Sequence, residues 1–109
     1  MSKLEKNIKG NFDEVLMRIE DGILNGSISA KLENSSDFID NESRCSVRVF
    51  ERYSAIDNNR VSLSVTLFQT GKSKIHLSAI TSGGSKSLFL KVNTFGEKSF
   101  LDKFDEIIK

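Results

Sequence analysis

The chain has 109 residues, 38% of them hydrophobic and 28% charged, a composition that fits one globular domain and excludes a disordered or membrane-embedded chain. Sixteen basic residues against 15 acidic ones leave a formal net charge of +1, which argues against a nucleic-acid partner, since such binders carry a basic excess, and puts little repulsion in the way of self-association. Cys45 is the single cysteine and proline is absent, so an internal disulfide is excluded and a reducing compartment is indicated.

In chain order, Met1–Lys6 carries charges at Lys3, Glu5 and Lys6 with no apolar run, unlike a signal peptide. No apolar stretch approaches the ~20 residues of a membrane helix, so a cytoplasmic protein without a membrane segment is expected. Leu4 and Ile8 within Lys3–Lys9 predict a first strand, broken at Gly10-Asn11. Asn11 is a good N-cap, with Glu14 three residues on as in a capping box. Phe12, Val15, Leu16, Ile19 and Ile23 form one apolar stripe at helical spacing. The stripe predicts a helix from Phe12 to about Leu24, with Gly26 as its C′ residue.

The period then changes from 3.6 to 2. Ile28, Ala30 and Leu32 alternate with polar residues, as do Cys45, Val47 and Val49. So do Val61, Leu63, Val65 and Leu67, then Ile75, Leu77 and Ala79, then Leu88, Leu90 and Val92. Such runs with one apolar face predict strands of a sheet covered on one side. Asp57-Asn58-Asn59, Thr70–Ser73 and Ser82–Ser85 supply turn chemistry, and polar Asn34–Glu42 reads as an irregular connection. Phe100, Leu101, Phe104, Ile107 and Ile108 return to helical spacing, with Thr94/Glu97 or Ser99/Asp102 as its capping pair.

The expected fold is a single α+β domain over residues 1–109. It is an antiparallel sheet of about five or six strands in the order β-α-β-β-β-β-β-α. Both helices must bury their stripes on the one apolar face, as in TBP-like or small helix-grip folds.

The residues that could carry chemistry are few. Parity puts Cys45 on the core face with Val47 and Val49 and turns His76 away from it, so the two form no dyad and no closed zinc site. Glu14, Asp21, Asp102, Asp105 and Glu106 fall on outer helix faces, in no pattern suited to acid–base work. No catalytic residue, metal or cofactor is expected. Thr81-Ser82-Gly83-Gly84-Ser85 is either a glycine-containing hairpin or an anion-binding nest; it lacks the Gly-Lys-[Ser/Thr] end of a P-loop. The outer sheet face is predicted to gather Arg44, Arg48, Phe50 and Arg52 from one strand, Arg60 and Phe68 from the next, and His76. Such a face is a solvated surface, a dimer interface or a surface for an anionic ligand.

Four segments also resemble an uncharacterised family of short bacterial proteins, mostly from clostridia-like Gram-positives, a domain of unknown function similar to DUF6054. They are Glu20–Ser27, Val49–Tyr53, Ala79–Ser85 and Asn93–Glu97. The resemblance covers essentially the whole chain and implies a stand-alone bacterial domain, with no catalytic residues to carry over. The expected function is a non-enzymatic binding or interaction module, a homo-oligomer formed through the outer sheet face. The alternative is a binder of a small molecule or anion at the Ser82–Ser85 loop or between helix and sheet.

Overall fold

Helix α1 spans Phe12–Gly26. Asn11 caps it as its sequence dictates, its side-chain oxygen accepting from the Glu14 amide at 3.0 Å, and Asp13 and Glu14 sit in the first turn, at the positive end of the dipole. All five residues of the apolar stripe are buried. The computed structural model describes residues 2–26, 28–54, 59–83, 104, 105, 107 and 108.

The strands are β1 (Ser2–Ile8), β2 (Lys31–Asp40), β3 (Ser43–Ser54), β4 (Asn59–Thr70) and β5 (Ile75–Gly83). They form one five-stranded sheet in the order β1-β5-β4-β3-β2, antiparallel at every pairing. The strands β2 to β5 make a meander, β1 adds to its β5 edge, and α1 carries the chain from one edge of the sheet to the other. The core lies between α1 and one sheet face. Val61, Leu63, Val65 and Leu67 of β4 and Ile75, Leu77 and Ala79 of β5 meet the helix stripe there, with Phe50 of β3. Burying each large side chain of this set contributes about 1.5–3 kcal/mol.

Three expectations change. The strand expected over Ile28–Leu32 begins only at Lys31 and runs on through the segment read as an irregular connection. Ile28 is fully exposed in a turn, and a tight turn at Asn41-Glu42, with Asn41 at φ 55°, joins β2 to β3. Asn, Ser and Asp are poor strand formers, but β3 offers a long backbone ladder, and β2 takes it despite having no apolar alternation. Second, the apolar alternation of Cys45, Val47 and Val49 lies away from the core, because Phe50 is the β3 residue that the core encloses.

Third, the described elements run β-α-β-β-β-β, a small α+β fold of five antiparallel strands and one helix. The two-helix arrangement and the TBP-like or helix-grip order are not supported. Of the expected second helix, Phe104, Asp105, Ile107 and Ile108 are helical, with Phe104 and Ile108 buried in the core; four residues do not make a second described helix. Phe100, Leu101, the capping residues Thr94, Glu97, Ser99 and Asp102, the Leu88–Val92 strand and the Asp57-Asn58 turn lie outside the described residues.

Gly22 shows how tightly the C-terminal segment packs. A Cβ there would stand 2.6 Å from Ile107 Cγ2 and 2.9 Å from its Cγ1. Alanine would gain about 1 kcal/mol of helix propensity, whereas overpacking costs about 1–3 kcal/mol. Gly22→Ala is therefore expected to lower the urea-unfolding free energy by ~1 kcal/mol. In an Ile107→Ala background the same change should be neutral or stabilising; a Gly22→Ala penalty that persists there would show that Ile107 is not what restricts the position.

Candidate functional site

The two sheet faces follow from the register. Arg44 pairs with Gln69, Ser46 with Leu67, Arg48 with Val65, Phe50 with Leu63 and Arg52 with Val61. Directly opposed residues share a face, so these even-numbered residues of β3 lie on the helix side. The apolar stripe of α1 covers β4 and β5, and its acidic residues Asp13 and Glu20 meet β3. Arg44 donates to Asp13 at 2.8 Å and lies 4.3 Å from the Phe12 ring centroid. Arg48 donates from Nε to Glu20 at 2.9 Å and from Nη1 to the Val47 and Ser36 carbonyls at 3.0 and 3.3 Å. Its Nη2 lies 3.0 Å from Asp37 of β2, whose carboxylate also accepts from Ser46 Oγ at 2.6 Å. Arg48 is only 8% exposed, and these partners offset the cost of taking its charge out of water.

Four of the predicted surface residues, Arg44, Arg48, Phe50 and Arg52, are therefore not on the outer face. Phe50 is core, and Arg44 and Arg48 tie the helix to the sheet. The alternation Cys45-Val47-Val49 resembles a core face; the contrary signals were the neighbouring Phe50 and the acidic flank of α1.

The open face carries the other parity. Phe38, Cys45, Phe68, His76 and Asn7 are paired in succession and make one row across all five strands. Parallel to it run Ser36, Val47, Thr66, Ser78 and Glu5, and then Asn34, Val49, Ser64, Ile80 and Lys3. Charges gather at the far end, where Arg60 donates to Glu51 at 2.9 Å and lies over the Tyr53 ring. Of the predicted surface set, Arg60, Phe68 and His76 are on this face. Cys45 joins them, contrary to its expected core position. It shares a face with His76 but stands two strands away, roughly 10 Å at the usual strand spacing, so a thiol–imidazole pair is ruled out by distance and not by facing.

A depression of about 490 Å³ opens at the aromatic row, lined by Glu5, Asn7, Thr66, Phe68, His76 and Ser78, with Lys6 and Leu77. Its size suits a small ligand. His76 Nδ1 is 2.8 Å from Asn7 Oδ1, a contact that orients the ring and that Nδ1 makes as the donor, since an amide oxygen only accepts. The Phe68 and His76 rings are stacked, with centroids 6.3 Å apart. A smaller depression of about 110 Å³ lies at the charged end, between Lys31, Glu51, Tyr53 and Arg60. Neither lies between helix and sheet.

The loop residues fall elsewhere. Thr81 is buried on the core face, its hydroxyl 3.3 Å from both the amide and the carbonyl of Ser2. Ser82 pairs with Ser62, their hydroxyls 3.1 Å apart, and Gly83 pairs with Val61. These three residues extend β5 instead of turning, because β4 is long enough to pair them. Gly84 and Ser85 lie outside the described residues.

Among the described residues no group of three or more His, Cys, Asp or Glu side chains is placed to hold a metal ion, and no helix is long and apolar enough to cross a membrane. A family model described as a family of unknown function, DUF6054, matches residues 1–109. No curated protein and no solved structure matches the chain.

The Ser46 hydroxyl, and then Arg48, hold the Asp37 carboxyl below its ordinary value, and Arg44 does the same for Asp13. A depressed carboxyl contributes stability above the unfolded value, about 3.9, and loses it as pH falls through the folded midpoint. Both groups are exposed, so solvent screens the effect. Ser46→Ala is expected to raise the NMR titration midpoint of Asp37 and leave that of Asp13 unmoved. Arg48→Ala, which strands Glu20 and empties the space of the side chain, should cost about 1–3 kcal/mol in urea unfolding, and Arg48→Met, which keeps the bulk but not the charge, should cost less; equal losses would mean that charge, not packing, is what Arg48 supplies.

Proposed function

The chain belongs to the DUF6054 family, and from its geometry we propose that it is a non-enzymatic interaction module that pairs with a second copy of itself through the open sheet face. One observation carries this reading: the row Phe38–Cys45–Phe68–His76 crosses four adjacent strands, with Phe38 65% and Phe68 41% exposed. Aromatic residues are enriched at interfaces. The area also suits a second copy. Strands at ~4.8 Å spacing and ~3.3 Å per residue give this face roughly 600–800 Å², close to one partner's share of a standard interface. The charges do not oppose it, since Lys3 pairs with Glu5 and Arg60 with Glu51 within the chain. Two such faces stack about 10 Å apart, as in a sandwich.

Light scattering during size-exclusion chromatography tests the reading. The protein is expected to elute as a dimer at micromolar concentration. Phe68→Asp and Phe38→Asp should give monomers of unchanged circular dichroism, while Ile28→Asp, off the sheet, should not. A monomeric wild type at ~100 μM would end the proposal.

A second reading, a small polar or anionic ligand in the 490 Å³ depression, is favoured by the Asn7 bond that orients the His76 ring. Native mass spectrometry of freshly purified protein should then show an added mass that His76→Ala abolishes.

A further inference from the structure

Among the described residues, strand β2 is hydrogen-bonded to β3 alone and forms one edge of the sheet. Sheet edges are ordinarily blunted by short length, lysine, proline or bulges. The opposite edge, β1, follows that pattern: it has seven residues and carries Lys3 and Lys6, the latter 2.6 Å from Asp105. Strand β2 does not. It has ten residues, all exposed, and no proline. Its one irregularity falls between Leu32 and Asn34, after which Asn34–Asp40 stays in unbroken register with β3. Phe38 and Ile39 stand on opposite faces of this stretch, 65% and 71% exposed.

The charges say what kind of strand would fit. Glu33, Asp37 and Asp40 lie on β2 and Glu42 in the turn that follows, against Lys31 alone. Asp37 is partly neutralised by Arg48. A second β2 laid antiparallel over the seven regular residues would set Asp37 directly against its own counterpart, and like charges in opposed positions are destabilising. A basic strand meets no such penalty.

We propose that the β2 edge takes an extended peptide segment carrying lysine or arginine at alternate positions, added as a sixth strand. Main-chain hydrogen bonds to Asn34–Asp40 hold it, the basic side chains lie on the open face with Asp40, and the apolar side chains lie on the other face beside Ile39. This is strand addition, in which the backbone supplies affinity and alternate side chains supply selectivity. The proposal uses a different surface from the open-face pairing and stands without it.

The test uses two eight-residue probes, one alternating Lys and Val, the other Glu and Val. Each is titrated into the ¹⁵N-labelled protein while amide hydrogen exchange is followed. The Lys–Val peptide should slow exchange across Asn34–Asp40, bind at least tenfold more tightly than the Glu–Val peptide, and weaken as salt is raised. Glu33→Lys with Asp40→Lys, both exposed positions, should reverse the preference. Should that variant misfold by circular dichroism, the wild-type comparison and its salt dependence still decide. Equal binding of the two probes, or changes confined to the open face, would overturn the proposal. So would protection of β2 that rises with protein concentration in the absence of peptide, which would assign the edge to a second copy. These outcomes do not depend on whether Phe68→Asp alters the oligomeric state.

Discussion

The placement of β3 depends on one buried cation. Arg48 lies under the acidic flank of α1, bonded to Glu20 on the helix and close to Asp37 on β2. It joins three elements at a point where the apolar stripe of the helix no longer reaches. A one-residue slip of β3 would turn Phe50 out of the core and put Cys45, Val47 and Val49 under carboxylates. Because strand period is two, such a slip exchanges every side chain between faces. Holding the Arg48 guanidinium between its partners therefore fixes what the far face displays.

The start and the buried stripe of α1 were legible in the sequence, because cap and stripe are local signals that tertiary packing reinforces, whereas Gly26, expected just past its end, is its last residue. The strands β4 and β5 were legible for a similar reason: both are central, and the alternating apolar residues of Val61–Leu67 and Ile75–Ala79 face one way. At β3 the alternation was real but read from the wrong side. A half-apolar outer face imitates a core face, and only the spatial match of Asp13 and Glu20 to Arg44 and Arg48 resolves it. Strand β2 gave no signal because an edge strand exposed throughout needs no apolar period. Of the expected surface residues, those on β4 and β5 were placed on the open face, and those on β3 were not. The depression at His76 was not foreseen, since Asn7 comes to it from a strand 69 positions away in sequence.

The sheet has unlike faces and unlike edges. Its helix side is a hydrophobic core bordered by ion pairs. Its open side is hydroxyl-rich, crossed by an aromatic row and hollowed at His76. Among the described residues, one edge is basic and tied to Asp105, the other acidic and unpaired. These asymmetries arise from a single arrangement, in which α1 crosses the sheet with its stripe on one half and its carboxylates on the other.

The pairing of β1 with β5 bears on how the fold is reached. Ser2 and Thr81 meet across 79 positions of chain, so β1 has no sheet partner until almost all of the meander has been made. At ribosomal rates of about 5–20 residues per second, that is a wait of roughly 4–15 s. Until β4 is made, the apolar stripe of α1 has no sheet beneath it. Topologies dominated by such distant contacts fold slowly, in roughly milliseconds to seconds. The lysines of β1 then have a second role, keeping a waiting strand soluble until its neighbour emerges.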